Sequence, residues 1–131
     1  MVLVLRIGAA LLEIFVMKQY DAGIQGEAVA EAYLCQKGMQ VVARRYRGGD
    51  GEIDLIMLDG QFVVFIEVKA RPKSARGDGL SAITPAKRQR IIHAALHFLL
   101  EREWMERLIR FDVVEISRNG VLHIPNAFQS E

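Results

Sequence analysis

Four residues in the stretch GEIDLIMLDGQFVVFIEVKAR, residues 51–71, have the types and spacing to do chemistry: Glu52, Asp54, Glu67 and Lys69. Two apolar runs, 53–58 and 62–68, are joined by Asp59 and Gly60, a strong two-residue hairpin signal. With those two residues as the loop, Phe65 faces Asp54 and Glu67 faces Glu52. Side chains alternate along a strand, so Glu52, Asp54, Phe65, Glu67 and Lys69 share one face. Asp54 and Glu67 become diagonal neighbours, roughly 7 Å apart, while Val64, Ile66 and Val68 point the other way into a core. Carboxylates crowded on a covered face are costly unless they are paired or hold a cation. Oxygen ligands of this kind suit Mg²⁺ or Mn²⁺, with the Val68 carbonyl as a third oxygen. Lys69 would then sit beside the ion, placed to hold a water or offset charge at a phosphate. The bland alternative is a solvated hairpin face carrying surface charges.

The elements around this hairpin must position it. Residues 24–37 are rich in Ala, Glu and Leu and read as a helix stopped by Gly38. Glu27 lies in its first turn. It either answers the helix dipole or begins an inward stripe with Ala30 and Leu34 that aims it at the sheet. Residues 39–47 read as a first strand ending in Arg44, Arg45 and Arg47 around Tyr46, suited to phosphate contact or to a charged sheet edge. Residues 71–81 are a Pro- and Gly-containing loop bearing Arg71, Lys73 and Arg76. Thr84 and Pro85 start a helix to about Trp104, its buried stripe being Ile91, Ile92, Ala95, Leu96 and Leu99. From Lys69 to Arg90 there are seven Lys or Arg and one acidic residue, so the carboxylate face has a basic neighbour suited to a phosphodiester. His93 and His97 are spaced for zinc, but Ala94 stands where a zinc protease needs Glu, and they read as surface or packing residues. Residues 111–117 form another strand, turned by Asn119 and Gly120 into 121–124.

The 131 residues suffice for one domain with a real core. With 17 Lys or Arg against 16 Asp or Glu, a wholly basic nucleic-acid coat is excluded, and any basic surface is local. A single cysteine, Cys35, excludes an intramolecular disulfide, fits a reducing cytoplasm and reads as a packing residue. Residues 1–18 are the most apolar part, too short and too broken by Arg6 and Glu13 for a secure membrane span. They read as an N-terminal helical extension, docked on the 19–131 domain or on a second subunit of a homodimer; alternatively translation begins at Met17.

The order helix, three strands, helix, strand, with Glu27, Asp54 and then Glu67-Val68-Lys69, resembles the restriction-endonuclease-like superfamily, whose signature is PD-(D/E)xK. More narrowly, GEIDLI, FIEVKAR, TPAKRQR and RFDVV resemble the bacterial YraN family over about residues 20 to 128. The resemblance implies an α/β fold with a central mixed sheet flanked by helices. It also implies that Asp54 and Glu67 bind metal and that Lys69 is the catalytic lysine. Glu27 matches the helix glutamate of archaeal Holliday-junction resolvases. Ile53 stands where the signature has Pro, and Arg45 where the family often has Asn.

Two functions follow as expectations. One is a Mg²⁺- or Mn²⁺-dependent DNA phosphodiesterase, selective for branched or otherwise structured DNA. Glu27 would assist a water or second ion, and Arg45, Arg47, Arg71, Lys73, Arg76 and Lys87 would contact nucleic acid. The other is a nuclease-like fold that binds nucleic acid or protein without cutting it.

Overall fold

The computed structural model describes residues 22–71 and 83–130, and among these residues two helices and five strands make up the fold. In chain order they are α1 (Ala22–Gln36), β1 (Gln40–Gly48), β2 (Gly51–Asp59), β3 (Phe62–Arg71), α2 (Pro85–Arg102), β4 (Ile109–Ser117) and β5 (Gly120–Phe128). Residues 1–18, with the extension expected there, lie outside the described residues, as do Lys73 and Arg76. No described helix is long and apolar enough to cross a membrane.

The strands lie side by side in the order β1-β2-β3-β4-β5, antiparallel except for the parallel pair β3 and β4. A parallel pair needs a long crossover, and α2 lies within it. Because both faces are covered, β3 reads as a continuous apolar run rather than an alternating one. Leu55, Met57, Val64, Ile66, Val114 and Ile116 pack with Val29, Ala30 and Leu34 of α1. Ile56, Val63, Phe65, Phe111 and Val113 pack on the other side with Ile91, Ala94, Ala95, Phe98 and Leu99 of α2. This mixed α/β sheet between two helices is consistent with a restriction-endonuclease-like fold.

The caps explain the helix bounds. Gly38 has φ +95°, and the Met39 N–H returns to the Leu34 carbonyl at 3.2 Å, closing α1. Thr84 Oγ1 accepts from the Lys87 N–H at 3.1 Å, with Pro85 in the first turn of α2. That helix stops at Arg102, short of Trp104, because Glu103 takes the left-handed conformation (φ 58°), a cap that no glycine announces. Its buried stripe also differs from expectation: Ala94 and Phe98 are inside, and Leu96 is 44% exposed. The Phe98 ring decides this, meeting Tyr46, Phe65 and Trp104 edge-on at 5.2, 6.1 and 5.9 Å. Cys35, expected to pack, is exposed near the end of α1.

Both hairpin turns sit one residue away from their expected places. Asp59 pairs with Phe62, so Gly60 and Gln61 form the first loop, with positive φ (59°) at Gly60 alone. That is the demand of a turn whose first residue is glycine, not of one needing positive φ twice. Ser117 pairs with Gly120, which makes Arg118 and Asn119 the second loop.

The loop before β2 is held tightly against α2. A Cβ built on Gly51 would lie 2.0 Å from the Arg90 carbonyl oxygen, backbone against backbone. Gly51→Ala is therefore expected to cost about 1–3 kcal/mol by overpacking. Urea denaturation of the purified variant checks this; an unchanged midpoint would contradict the close approach.

Candidate active site

The central strands part company where the carboxylates begin. The β2–β3 ladder runs from Asp59↔Phe62 to Leu55↔Ile66 and stops. Beyond it β2 stays paired with β1 as far as Gly51↔Gly48, and β3 stays paired with β4 as far as Arg71↔Ser117. Asp54 stands at this fork. Its Oδ2 accepts the Val68 N–H at 2.8 Å, replacing a ladder bond that the parting strands cannot make.

The fork also turns β2 over. Leu55 and Met57 face α1 and Ile56 faces α2, yet Ile53 joins the α2 side too. Alternation therefore breaks at Asp54. Opposite it in β1 is Arg45, held at φ 50°, an uncommon conformation for a residue with a side chain. Glu52, expected on the face of Asp54, pairs with Arg47 at 3.2 Å and lines one cavity with Asp54 and Glu67. Phe65, expected beside the carboxylates, is buried in the α2 core instead.

Asp54 at the fork nonetheless lies within electrostatic reach of both Glu67 and Glu27. Glu67 is only 4% exposed on β3. Asp54 is pushed up to about 8, first by burial and then by the Glu67 charge. Burial holds the Glu27 carboxyl above the ordinary value despite Arg45 at 3.4 Å. The β3 face thus reaches the site from one side and the first turns of α1 from the other.

Two lysines neutralise Glu67. Lys87 Nζ lies 2.7 Å from Glu67 Oε2, and Lys69 Nζ lies 3.5 Å from the same atom. Burial lowers the pKa of Lys69, and the neighbouring Lys87 lowers it further. Burial also works against the charge on Lys87, but its bond to Glu67 outweighs this and raises it. A cavity of about 410 Å³ opens here, its wall including Asp54, Glu67, Lys87 and Arg90. Sequence reasoning set Lys87 at a phosphate backbone and missed its place beside Glu67. The signal was available, since Thr84 caps the helix and the third helical position favours Glu, yet Lys87 stands there.

Arg45 and Arg47 are more than half exposed, each holding a carboxylate of the site's edge, Glu27 and Glu52. Arg71 ends β3, past the fork. His93 Nδ1 lies 3.2 Å from Asp50, and His97 packs on Gly48 and Gly49.

The donor set at the fork is hard oxygen, which fits Mg²⁺ or Mn²⁺. Two acidic side chains forced together by burial would be relieved by such an ion. Among the described residues no three His, Cys, Asp or Glu side chains are grouped to hold one. The residues that would hold it are Asp54 and Glu67, with remaining oxygens from the Val68 carbonyl, water or a phosphate.

Residues 26–116 match the model of the Uncharacterised protein family UPF0102. The chain is 40% identical over 112 residues to a UPF0102 protein of Saccharophagus degradans, covering 85% of this chain and 95% of that one. It is 36% identical over 113 residues to one from Anaeromyxobacter dehalogenans, covering 83% and 84%. It is 38% identical over 113 residues to one from Legionella pneumophila, covering 84% and 96%. The matched span contains most of α1, the fork, both site lysines and nearly all of β4, and the chain belongs to the uncharacterised protein family UPF0102.

Proposed function

We propose that the fork is the active site of a divalent-metal-dependent phosphodiesterase acting on DNA. The observation that carries this reading is the forced proximity of Asp54 and Glu67 at the parting of two strands, with Lys69 on the same oxygen of Glu67. A bound Mg²⁺ or Mn²⁺ supplies Lewis acidity that offsets charge gathering on the phosphate. Asp54 and Glu67 hold that ion, Glu67 fixed by its burial and Asp54 by the Val68 N–H. Lys69 orients the attacking water, its lowered pKa making proton exchange easier. Glu27 assists a water or a second ion from the α1 side of the site. Arg45, Arg47, Arg71, Lys73, Arg76 and, once free of Glu67, Lys87 bind backbone phosphates, with little sequence readout. The protein works on DNA in the cytoplasm, as a monomer or as a homodimer.

One observation favours the second reading, a nuclease-like fold that binds without cutting: Lys69 and Lys87 already neutralise Glu67. Cleavage decides between them. Duplex, single-stranded, flapped and four-way DNA are incubated with Mn²⁺ and wild type, Lys69→Ala or Glu67→Ala protein purified in parallel. Wild type is expected to cut, structured DNA best, and Lys69→Ala to lose about 10²–10⁴-fold in rate, the usual contribution of a positioned proton-transfer group. Lys69→Ala should keep its stabilisation by Mg²⁺. Absence of cutting across the panel, or cutting that survives equally in both variants, would overturn the enzymatic reading.

A further inference from the structure

Lys87 occupies a position that helix energetics argue against. It is the third residue of α2, where the helix dipole presents positive charge and where a Thr cap is best completed by Glu or Gln. No acidic residue stands in that first turn to offset it. Its ammonium is instead the nearest cation to the buried Glu67, at 2.7 Å from Oε2 against 3.5 Å for Lys69. Glu67 is nearly covered, so a lone charge there would be costly. Lys87 is 36% exposed along its side chain, with an open way out through the cavity it helps to line.

We propose that Lys87 is an internal stand-in for the divalent ion. It rests on Glu67 while the site is empty of metal, yields that oxygen when the ion arrives, and then carries its charge to the substrate phosphate. This rests on the phosphodiesterase reading and adds to it an order of events. An ion bound to Glu67 would sit at about 2.0–2.1 Å from oxygen. An ammonium hydrogen-bonded to that same atom would face two positive charges at close range. The lysine must leave, and its long flexible stem allows it. Metal loading and phosphate capture are thereby coupled through one side chain.

Mn²⁺ binding is measured by electron paramagnetic resonance on metal-free wild type, Lys87→Met, Lys87→Gln and Glu67→Gln. Lys87→Gln suits the third helical position after Thr84 and gives a second variant should Lys87→Met prove unstable. DNA binding is measured by fluorescence anisotropy with Ca²⁺ and separately with a chelator. Loss of the competing ammonium should tighten Mn²⁺ about tenfold, the scale of a charge-assisted hydrogen bond. DNA affinity should fall about tenfold with Ca²⁺ present and stay unchanged in chelator, because only the loaded site releases Lys87. Glu67→Gln should bind no Mn²⁺. If wild type binds Mn²⁺ and neither Lys87 variant binds it more tightly, the stand-in role is wrong and the metal site stands. If neither wild type nor the Lys87 variants bind Mn²⁺, both readings fall together.

Discussion

Asp54→Asn is expected to make the protein more stable at pH 8 and to abolish the proposed DNA cleavage. The carboxyl of Asp54 is raised to about 8, by burial first and Glu67 second. A group raised above its unfolded value stabilises the fold fully below about pH 4 and loses that contribution as pH climbs through about 8. Wild type therefore weakens across this window, and the amide variant, which keeps an acceptor for the Val68 N–H, does not. Water in the open cavity and the Lys87 charge screen the effect, leaving a gain of about 2 kcal/mol at pH 8 and little difference at pH 4. DNA cleavage should fall at least about a hundredfold, since loss of even an outer partner of a metal ligand costs 10–100-fold. Urea denaturation at the two pH values, with Mn²⁺-dependent cleavage alongside, checks both halves. A variant less stable at pH 8 would show that Asp54 serves the fold.

Asp112→Ala is expected to do the reverse, costing stability while sparing the site. Asp112 is wholly buried and accepts four hydrogen bonds: two from Arg110 at 2.9 and 3.0 Å, one from His123 Nε2 at 2.7 Å and one from the Asn126 N–H at 2.9 Å. His123 Nδ1 faces the Lys37 ammonium at 2.9 Å, which can only donate, so Nε2 carries the hydrogen that goes to Asp112. Burial alone would raise the Asp112 carboxyl, but the His123, Arg110 and Asn126 bonds outweigh it and hold it below the ordinary value. Its contribution is present above about pH 4 and is lost as pH falls through the lowered value. Truncation leaves Arg110 and His123 without their buried partner, a loss of about 3–5 kcal/mol by urea denaturation at pH 7. A loss under about 1 kcal/mol would contradict the network.

The two aspartates show what can and cannot be read from the sequence. The pairing of Asp54 with Glu67 survives a wrong turn. Moving the loop from residues 59–60 to 60–61 slides the pairing by two, and a slide of two leaves each β3 side chain on its own face. Continued past Leu55↔Ile66, the true register sets Asp54 opposite Glu67 rather than diagonal to it. Thr84 and Pro85 likewise mark a helix start plainly, because their chemistry is local. The turnover at Asp54 is not local. It depends on where β2 leaves β3 and on a left-handed Arg45, which no residue type announces. Nor could the sequence join Asp112 to Asn126. That contact needs β5 to run on to Phe128, which stacks on Phe111 at 5.1 Å, with Asn126 at φ 51° aiming its N–H inward. A tail of mixed polarity gives no periodic sign of this.

The central claim is that Asp54 and Glu67 together make a cation site, and metal-dependent melting across pH tests it most directly. An ion displaces the proton of Asp54, so its binding strengthens as pH rises toward and past about 8. Wild type melted with and without excess Mg²⁺ is predicted to gain little at pH 6 and increasingly more at pH 7.5 and 8.5. Asp54→Asn should show no gain at any of these. An equal Mg²⁺ shift in both proteins, or none in wild type at pH 8.5, would contradict the account.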